Sequence, residues 1–203
     1  MSATVYTLIG DMVGSRRLPD RQRAQETLGR ALDEVTGLLE PAQRLEPTVA
    51  DEFQGAFETL SDAVLAGLLV RLTLLPGMDV RCGIGAGELT VHDATRRPLL
   101  QDGPAWWAAR EAVEVLSAPR RTTQRTWYVG DGDASVNAFV TCRDRLVDRL
   151  NDRGCRMLRM ALLGDPQQRI AEVEGISKSA VSQQFSRGIA SIRDAQATFE
   201  GKG

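Results

Sequence analysis

The first 130 residues alternate short runs of β-branched and aromatic residues with longer segments in which apolar residues recur every three or four positions. Short runs of this kind are typical of buried strands, and the periodic segments are typical of amphipathic helices. The order β-α-β-β-α-β-β-α-β predicts an α+β fold with helices packed on a mainly antiparallel sheet. The predicted strands lie at 4–9, at two positions within 43–60, and at 79–86, 88–92 and 126–129, and the predicted helices at 19–40, 61–75 and 103–116. We expect strand 88–92 to pair with strand 79–86.

The pattern changes after residue 132. Only helical spacing is found between residues 133 and 198, with interruptions at 152–154, 164–166 and Gly175. We therefore predict two domains, 1–132 and 133–203, of which the second is all-α. No low-complexity linker separates them, and the boundary falls somewhere within 131–152.

Composition narrows the class of protein. The 203 residues are 42% hydrophobic and 26% charged, which is typical of a globular chain with a sizeable core. The longest nearly apolar run, 63–70, is too short to cross a bilayer, and the first residues lack the pattern of an export signal. We therefore expect a cytoplasmic protein without a membrane span.

Cysteine and histidine usage limits the possible sites. Cys82, Cys142 and Cys155 are widely spaced and form no CxxC pair, so we expect buried, reduced thiols. His92 is the single histidine, which excludes His-rich metal sites and argues against a Ser-His-Asp triad.

Charge is distributed unevenly. The net charge is −2, but residues 141–203 contain 11 basic and 8 acidic side chains. A slightly basic C-terminal part is compatible with local DNA contact, whereas the overall charge argues against extensive coating of nucleic acid.

Residues 167–189 have the spacing of a helix-turn-helix. Ala171 provides a small residue at the helix crossing, Gly175 a turn residue, and Val181 an apolar residue that locks the second helix. Ser177 is a candidate N-cap of that helix. The predicted apolar face consists of Ile170, Val173, Ile176, Phe185 and Ile189.

The outward side of the second helix carries short polar and basic groups suited to base edges and phosphates. The predicted DNA-binding residues are Ser177, Lys178, Ser179, Ser182, Gln183, Ser186 and Arg187. The alternative is a helical hairpin used for packing or dimerisation. The block from Gly164 to Ser182 resembles the helix-turn-helix of LuxR-type regulators and of sigma factor region 4, which implies binding of double-stranded DNA.

Two acidic positions form a second constellation. Asp11 follows the first predicted strand and precedes a loop that contains Gly14, and Asp51 lies at a predicted hairpin tip. If the two strands are neighbours, both carboxylates can hold a Mg²⁺ ion that carries phosphates. Alternatively, both residues are ordinary turn residues.

In order, these segments and the run from Arg81 to Gly87 resemble the class III nucleotidyl cyclase and diguanylate cyclase fold, a ferredoxin-like antiparallel sheet with helices. The resemblance implies Asp11 and Asp51 as metal ligands, Mg²⁺ with a purine nucleotide as ligand, and Arg110 as a catalytic cation if the domain is active. Trp106 replaces the ribose-binding Asn of that pattern. The implied nucleotide-binding residues are Asp11, Met12, Val13, Gly14, Ser15, Asp51, Glu52, Trp106 and Arg110. Trp106 and Trp107 are candidates either for base stacking or for the core or a dimer interface.

The same motifs followed by a helix-turn-helix resemble the SatD family of bacterial proteins across nearly the whole chain. Three functions remain open at this point. The first is a homodimeric transcription regulator whose cyclase-like domain binds a nucleotide and modulates DNA binding. The second is an active nucleotidyl cyclase or related phosphotransferase. The third is a DNA-binding protein whose cyclase-like domain is a vestigial dimerisation scaffold.

Overall fold

The computed structural model describes residues 4–200 and divides the chain into two compact units, 1–141 and 142–203. The division falls inside helix α4 (Asp133–Val147), whose first residue is also the first residue of the predicted second domain. Within the described residues, no helix is both long and apolar enough to cross a membrane.

The first unit is a mixed α+β fold. A five-stranded sheet has the order β2-β3-β1-β4-β7, and β5 and β6 form a separate two-stranded sheet. The elements are β1 (Val5–Met12), α1 (Arg21–Leu39), β2 (Gln43–Pro47), β3 (Glu52–Phe57), α2 (Leu60–Leu74), β4 (Val80–Gly87), β5 (Thr90–Asp93), β6 (Leu100–Asp102), α3 (Pro104–Ser117), β7 (Thr126–Val129) and α4 (Asp133–Val147). This order confirms the predicted α+β class.

Strand β1 shows how the sheet is covered on both faces. Its side chains alternate, so that Leu8 lies near Gly67 of α2, whereas the Thr7 hydroxyl donates to the Ala105 carbonyl of α3 at 2.8 Å. A strand between two helical layers is buried on both sides, which explains its nearly continuous apolar sequence.

Helix α3 lies unusually close to β4. A Cβ atom added to Gly85 would lie 2.2 Å from the Ala109 amide nitrogen and 2.3 Å from the Ala105 carbonyl oxygen. Only glycine permits this approach, because any side chain would overlap the helix backbone.

The sheet is mainly antiparallel, as predicted, although β4 and β7 pair in parallel. One predicted strand pairing was wrong. Strand β5 pairs with β6 rather than with β4, since both edges of β4 are already occupied by β1 and β7. The short, mostly exposed β6 was not predicted from the sequence.

The second unit is helical with its own core. Its helices after α4 are α5 (Asp152–Leu162), α6 (Gln167–Glu174), α7 (Lys178–Gln184) and α8 (Ala190–Glu200), with a π-helical segment (Phe185–Ile189) between α7 and α8. Its core contains Met157, Leu158, Ile170, Val181, Phe185, Ile189 and Ile192.

Two details of this unit differ from expectation. The predicted break at 152–154 lies inside α5, because the Asn151 side chain caps that helix by accepting a hydrogen bond from the Gly154 amide at 2.9 Å. Cys142 is exposed, whereas Cys82 and Cys155 are buried as predicted.

Candidate functional site

Strand register places three charged residues in line across the sheet. Glu52 of β3 and Arg81 of β4 are both direct partners of Asp11 on β1. Side chains at paired positions project from the same face. This is the face that carries α3, because Ile9, two residues before Asp11, packs against Trp106.

Two bidentate ion pairs join these residues. The Arg81 guanidinium donates to both Asp11 oxygens at 2.6 and 2.7 Å. Arg110 of α3 donates to both Glu52 oxygens at 2.9 and 3.0 Å. We call Glu52, Asp11, Arg81 and Arg110 the charged row.

The two ion pairs differ in solvent exposure, and in each pair the carboxylate raises the pKa of its arginine. The Asp11 and Arg81 side chains are 16% and 28% exposed, whereas those of Glu52 and Arg110 are 33% and 47% exposed. Hydrogen bonding to Asp11 raises the pKa of Arg81, and the negative charge of Asp51 adds to this effect. Hydrogen bonding to Glu52 likewise raises the pKa of Arg110. Both guanidinium groups are thus fixed as cations.

The loop after β1 makes its hydrogen bonds within the protein. The Met12 amide donates to the Asp51 carbonyl at 3.2 Å, and the Val13 amide donates to the Asp79 carbonyl at 2.8 Å. The Ser15 hydroxyl donates to an Asp51 carboxylate oxygen at 2.5 Å. Met12 and Ser15 are buried, and Gly14 adopts φ 71°. These contacts join the loop after β1 to the turn that carries Asp51, as expected. They also use the Met12 and Val13 amides in hydrogen bonds within the protein.

The residues do not form a ready Mg²⁺ site. Both Asp11 oxygens contact a guanidinium, and Asp51 is hydrogen-bonded to Ser15. In the part of the chain that the structure describes, no group of three or more His, Cys, Asp or Glu side chains is placed to hold a metal. In this arrangement the Asp11 and Asp51 carboxylates are engaged by protein groups, and metal binding by the two residues stays a prediction.

The hairpin turn adopts a backbone that favours glycine at a position occupied by alanine. Ala50 has φ 57°, and its carbonyl accepts a hydrogen bond from the Gln25 side chain. The neighbouring Val49 is 77% exposed. The turn thus projects an apolar side chain beside the charged row.

Trp106 and Trp107 have opposite environments. Trp106 is 8% exposed and packs with Ile9, Ala109 and Val113, so the structure places it in the core instead of offering its ring for stacking. Trp107 is 61% exposed, and its indole Nε1 donates to Asp102 Oδ1 at 2.7 Å. Of these two residues, Trp107 is therefore the one available to a ligand or partner.

In the second unit, α6 and α7 are joined by a short turn. Ala171 and Val181 are buried, and Gly175 adopts φ 63° at the end of α6. The Ser177 hydroxyl oxygen accepts from the Ala180 amide at 3.2 Å and caps α7. The three residues singled out by spacing thus occupy the expected local environments.

The outward side of α7 and the residues that follow it form a polar surface. We call this surface the α7 polar face, and all of its members are exposed: Ser177, Lys178, Ser179, Ser182, Gln183, Ser186 and Arg187. The structure brings together every residue predicted to bind DNA.

Val173 was wrongly assigned to the apolar side of these helices. It is 52% exposed, whereas its neighbour Glu174 turns inward and has a side chain only 5% exposed. Arg156 of α5 donates to both Glu174 oxygens at 2.8 and 2.6 Å. These hydrogen bonds lower the pKa of Glu174. This ion pair joins α5 to α6 and sets the rotation that exposes Val173.

Arg81 is the site residue that the sequence interpretation missed. The sequence motif that contains Arg81 predicts no role for it, although it is the direct partner of Asp11. The available signal was an arginine near the start of the predicted strand 79–86, but its pairing with Asp11 depends on strand order and register.

Comparison with known proteins gives a family. The sequence matches the SatD family over residues 5–192, and the chain belongs to that family. The comparison with curated proteins found no match.

Solved structures with similar folds include adenylyl cyclases. A bacterial light-regulated adenylyl cyclase matches with a TM-score of 0.49 and 12% identity over 67% of this chain and 80% of that chain. The adenylyl cyclase CyaB from P. aeruginosa matches with a TM-score of 0.39 and 15% identity over 56% of this chain and 71% of that chain. At these values the similarities assign this chain neither an activity nor a ligand.

Proposed function

We propose that this SatD-family protein is a DNA-binding regulator whose first unit binds a nucleotide that changes its affinity for DNA. The observation that carries the proposal is the division of α7 and the π-helical segment that follows it into two sides. Val181 and Phe185 are buried, whereas Lys178, Gln183 and Arg187 are exposed. A short helix anchored on one side and polar on the other is suited to the major groove.

The helix pair α6–α7 acts as a helix-turn-helix in this proposal. The left-handed Gly175 allows the chain to reverse within a short turn, and the Ser177 cap fixes the start of α7. The clamp between Arg156 and Glu174 holds α6 against α5. A rigid scaffold of this kind reduces the entropy lost when the polar face docks on DNA.

Members of the α7 polar face have separate roles. Lys178 and Arg187 contact phosphates, which supplies affinity and salt dependence. Gln183 and Ser182 contact base edges, which supplies sequence preference. Recognition by a homodimer would place two such faces on paired half-sites.

DNA binding is tested by fluorescence anisotropy with DNA from the region upstream of the protein's own gene. Lys178→Ala and Arg187→Ala should each reduce affinity on all sequences and lower the salt slope by about 1. Arg44→Ala is the matched control, because Arg44 is an exposed arginine of the first unit. Unchanged affinity and slope in both α7 variants would contradict the proposal.

Base readout has its own test. Gln183→Ala should change the ranking of a panel of DNA sequences more than it changes mean affinity, because an amide side chain reads base edges. A ranking identical to that of the wild type would remove Gln183 from recognition.

The nucleotide is assigned to the charged row and the turn beside it. Support comes from the guanidinium of Arg110, whose side chain is 47% exposed and which is suited to phosphate oxygens, and from the exposed ring of Trp107, which is suited to a base. Calorimetry with ATP and GTP, each with and without Mg²⁺, tests this assignment. Arg110→Met should weaken nucleotide binding at least tenfold, whereas Arg44→Met should leave it unchanged.

The scaffold function is the second candidate, and the internal contacts of the charged row favour it. Both Asp11 oxygens are engaged, and Trp106 is in the core. Calorimetry that shows no nucleotide binding would select this candidate, and dimerisation of the first unit would remain its testable role. No contact described above favours turnover by a cyclase or phosphotransferase, whose direct test is conversion of ATP or GTP with Mn²⁺.

A further inference from the structure

Asp11, whose carboxylate is expected to bind a metal ion, already forms an ion pair with an arginine of the protein. Asp11 and Arg81 are direct partners on adjacent strands and form two short hydrogen bonds. Their side chains are 16% and 28% exposed, so solvent screens the pair only partly. The positive charge required to neutralise Asp11 is therefore supplied by the protein itself.

The guanidinium of Arg81 is also held from a second side. Its Nη1 donates to the Leu116 carbonyl of α3 at 3.5 Å. Movement away from Asp11 would break contacts to both β1 and α3. A divalent cation at Asp11 would lie beside a fixed positive charge or would have to displace it, and both outcomes weaken binding.

We infer that Arg81 is a built-in counter-ion of Asp11 that excludes divalent cations from this end of strands β1 and β4. The inference concerns the protein alone, so it holds or fails separately from nucleotide or DNA binding.

Binding of Mn²⁺ alone, measured by electron paramagnetic resonance without nucleotide, tests the inference. Arg81→Gln should bind Mn²⁺ at least tenfold more tightly than the wild type, because the carboxylates of Asp11 and Asp51 lose their competing cation. Adding Asp11→Asn to that variant should restore the wild-type affinity. Arg44→Gln removes the same charge from an exposed pair and should have no effect.

Several results would overturn the inference. An Arg81→Gln variant that folds, as judged by circular dichroism, but binds Mn²⁺ no more tightly than the wild type would refute it. Tighter binding that Asp11→Asn does not reverse would place the ion elsewhere and would also refute it. If Arg81→Gln does not fold, the wild type is compared with Asp11→Asn. Equal Mn²⁺ affinities support exclusion, and tighter binding by the wild type contradicts it.

Discussion

Asp79 joins three segments of the first unit, and its removal should be costly. Its carboxylate accepts from Arg71 Nε at 2.8 Å, from Arg125 Nε at 2.6 Å and from the Val80 amide at 3.0 Å. Arg71 has a side chain only 5% exposed, so its charge depends strongly on this partner. Through Arg71 and Arg125, Asp79 therefore connects α2 to the segment before β7.

Asp79→Asn should lower the free energy of unfolding of the first unit by about 3 kcal/mol. Removing one partner of a buried pair costs about 3–5 kcal/mol, and the 22% exposure of Asp79 places the estimate at the lower end. Urea unfolding followed by tryptophan fluorescence is the assay, because Trp106, Trp107 and Trp127 all lie in this unit.

The pH dependence of this difference provides a second readout. Burial raises the pKa of Asp79, but hydrogen bonds and charges from Arg71 and Arg125 outweigh burial and hold the pKa below its ordinary value. The stabilisation is present above the unfolded-state pKa of about 4 and is lost as pH falls through the lower folded-state pKa. The gap between wild type and Asp79→Asn should therefore narrow below about pH 4.

Asp33→Asn is the matched control, because its pair with Arg44 is exposed on both sides. It should change the free energy of unfolding by less than about 1 kcal/mol. An Asp79→Asn effect as small as that of Asp33→Asn, or a gap that does not depend on pH, would refute the reasoning.

Four further substitutions test the packing and backbone by urea or thermal unfolding. Gly85→Ala should destabilise the first unit by more than about 2 kcal/mol, because its Cβ would overlap α3, whereas Gly37→Ala in α1 meets no atom within 4 Å and should stabilise by about 0.5–1 kcal/mol. Equal effects of Gly85→Ala and Gly37→Ala on stability would contradict the close approach of α3 to β4. Ala50→Gly should stabilise by up to about 1 kcal/mol by relieving the positive φ, and a loss of stability would show that the turn is not strained. Ser177→Ala should cost about 1 kcal/mol of second-unit stability measured by circular dichroism, and no change would remove its capping role.

The sequence was sufficient for most elements of the fold. Apolar runs and helical spacing located β7, α3 and the α6–α7 pair to within a few residues, because periodicity reports which face is buried. Pairing was harder to predict. Strand β5 follows β4 along the chain, but β1 and β7 occupy both edges of β4, and this competition is not visible in local sequence.

The site was predicted in part. Asp11 and Asp51 were expected to come together, and Ser15 and the β1–β3 pairing do join their segments. The partner of each carboxylate could not be predicted, because it depends on register and side-chain direction. Arg81 therefore remained without a role, and Trp106 was considered for stacking although it is buried in the core.

Coupling between ligand and DNA is the central claim, and one titration tests it most directly. The affinity of the full chain for upstream DNA is measured by anisotropy without nucleotide and then with saturating ATP or GTP. We predict at least a fivefold change with one nucleotide, which corresponds to a coupling free energy of about 1 kcal/mol. Arg110→Met should abolish this change while preserving DNA affinity without nucleotide. Tight DNA binding that neither nucleotide alters would contradict the claim.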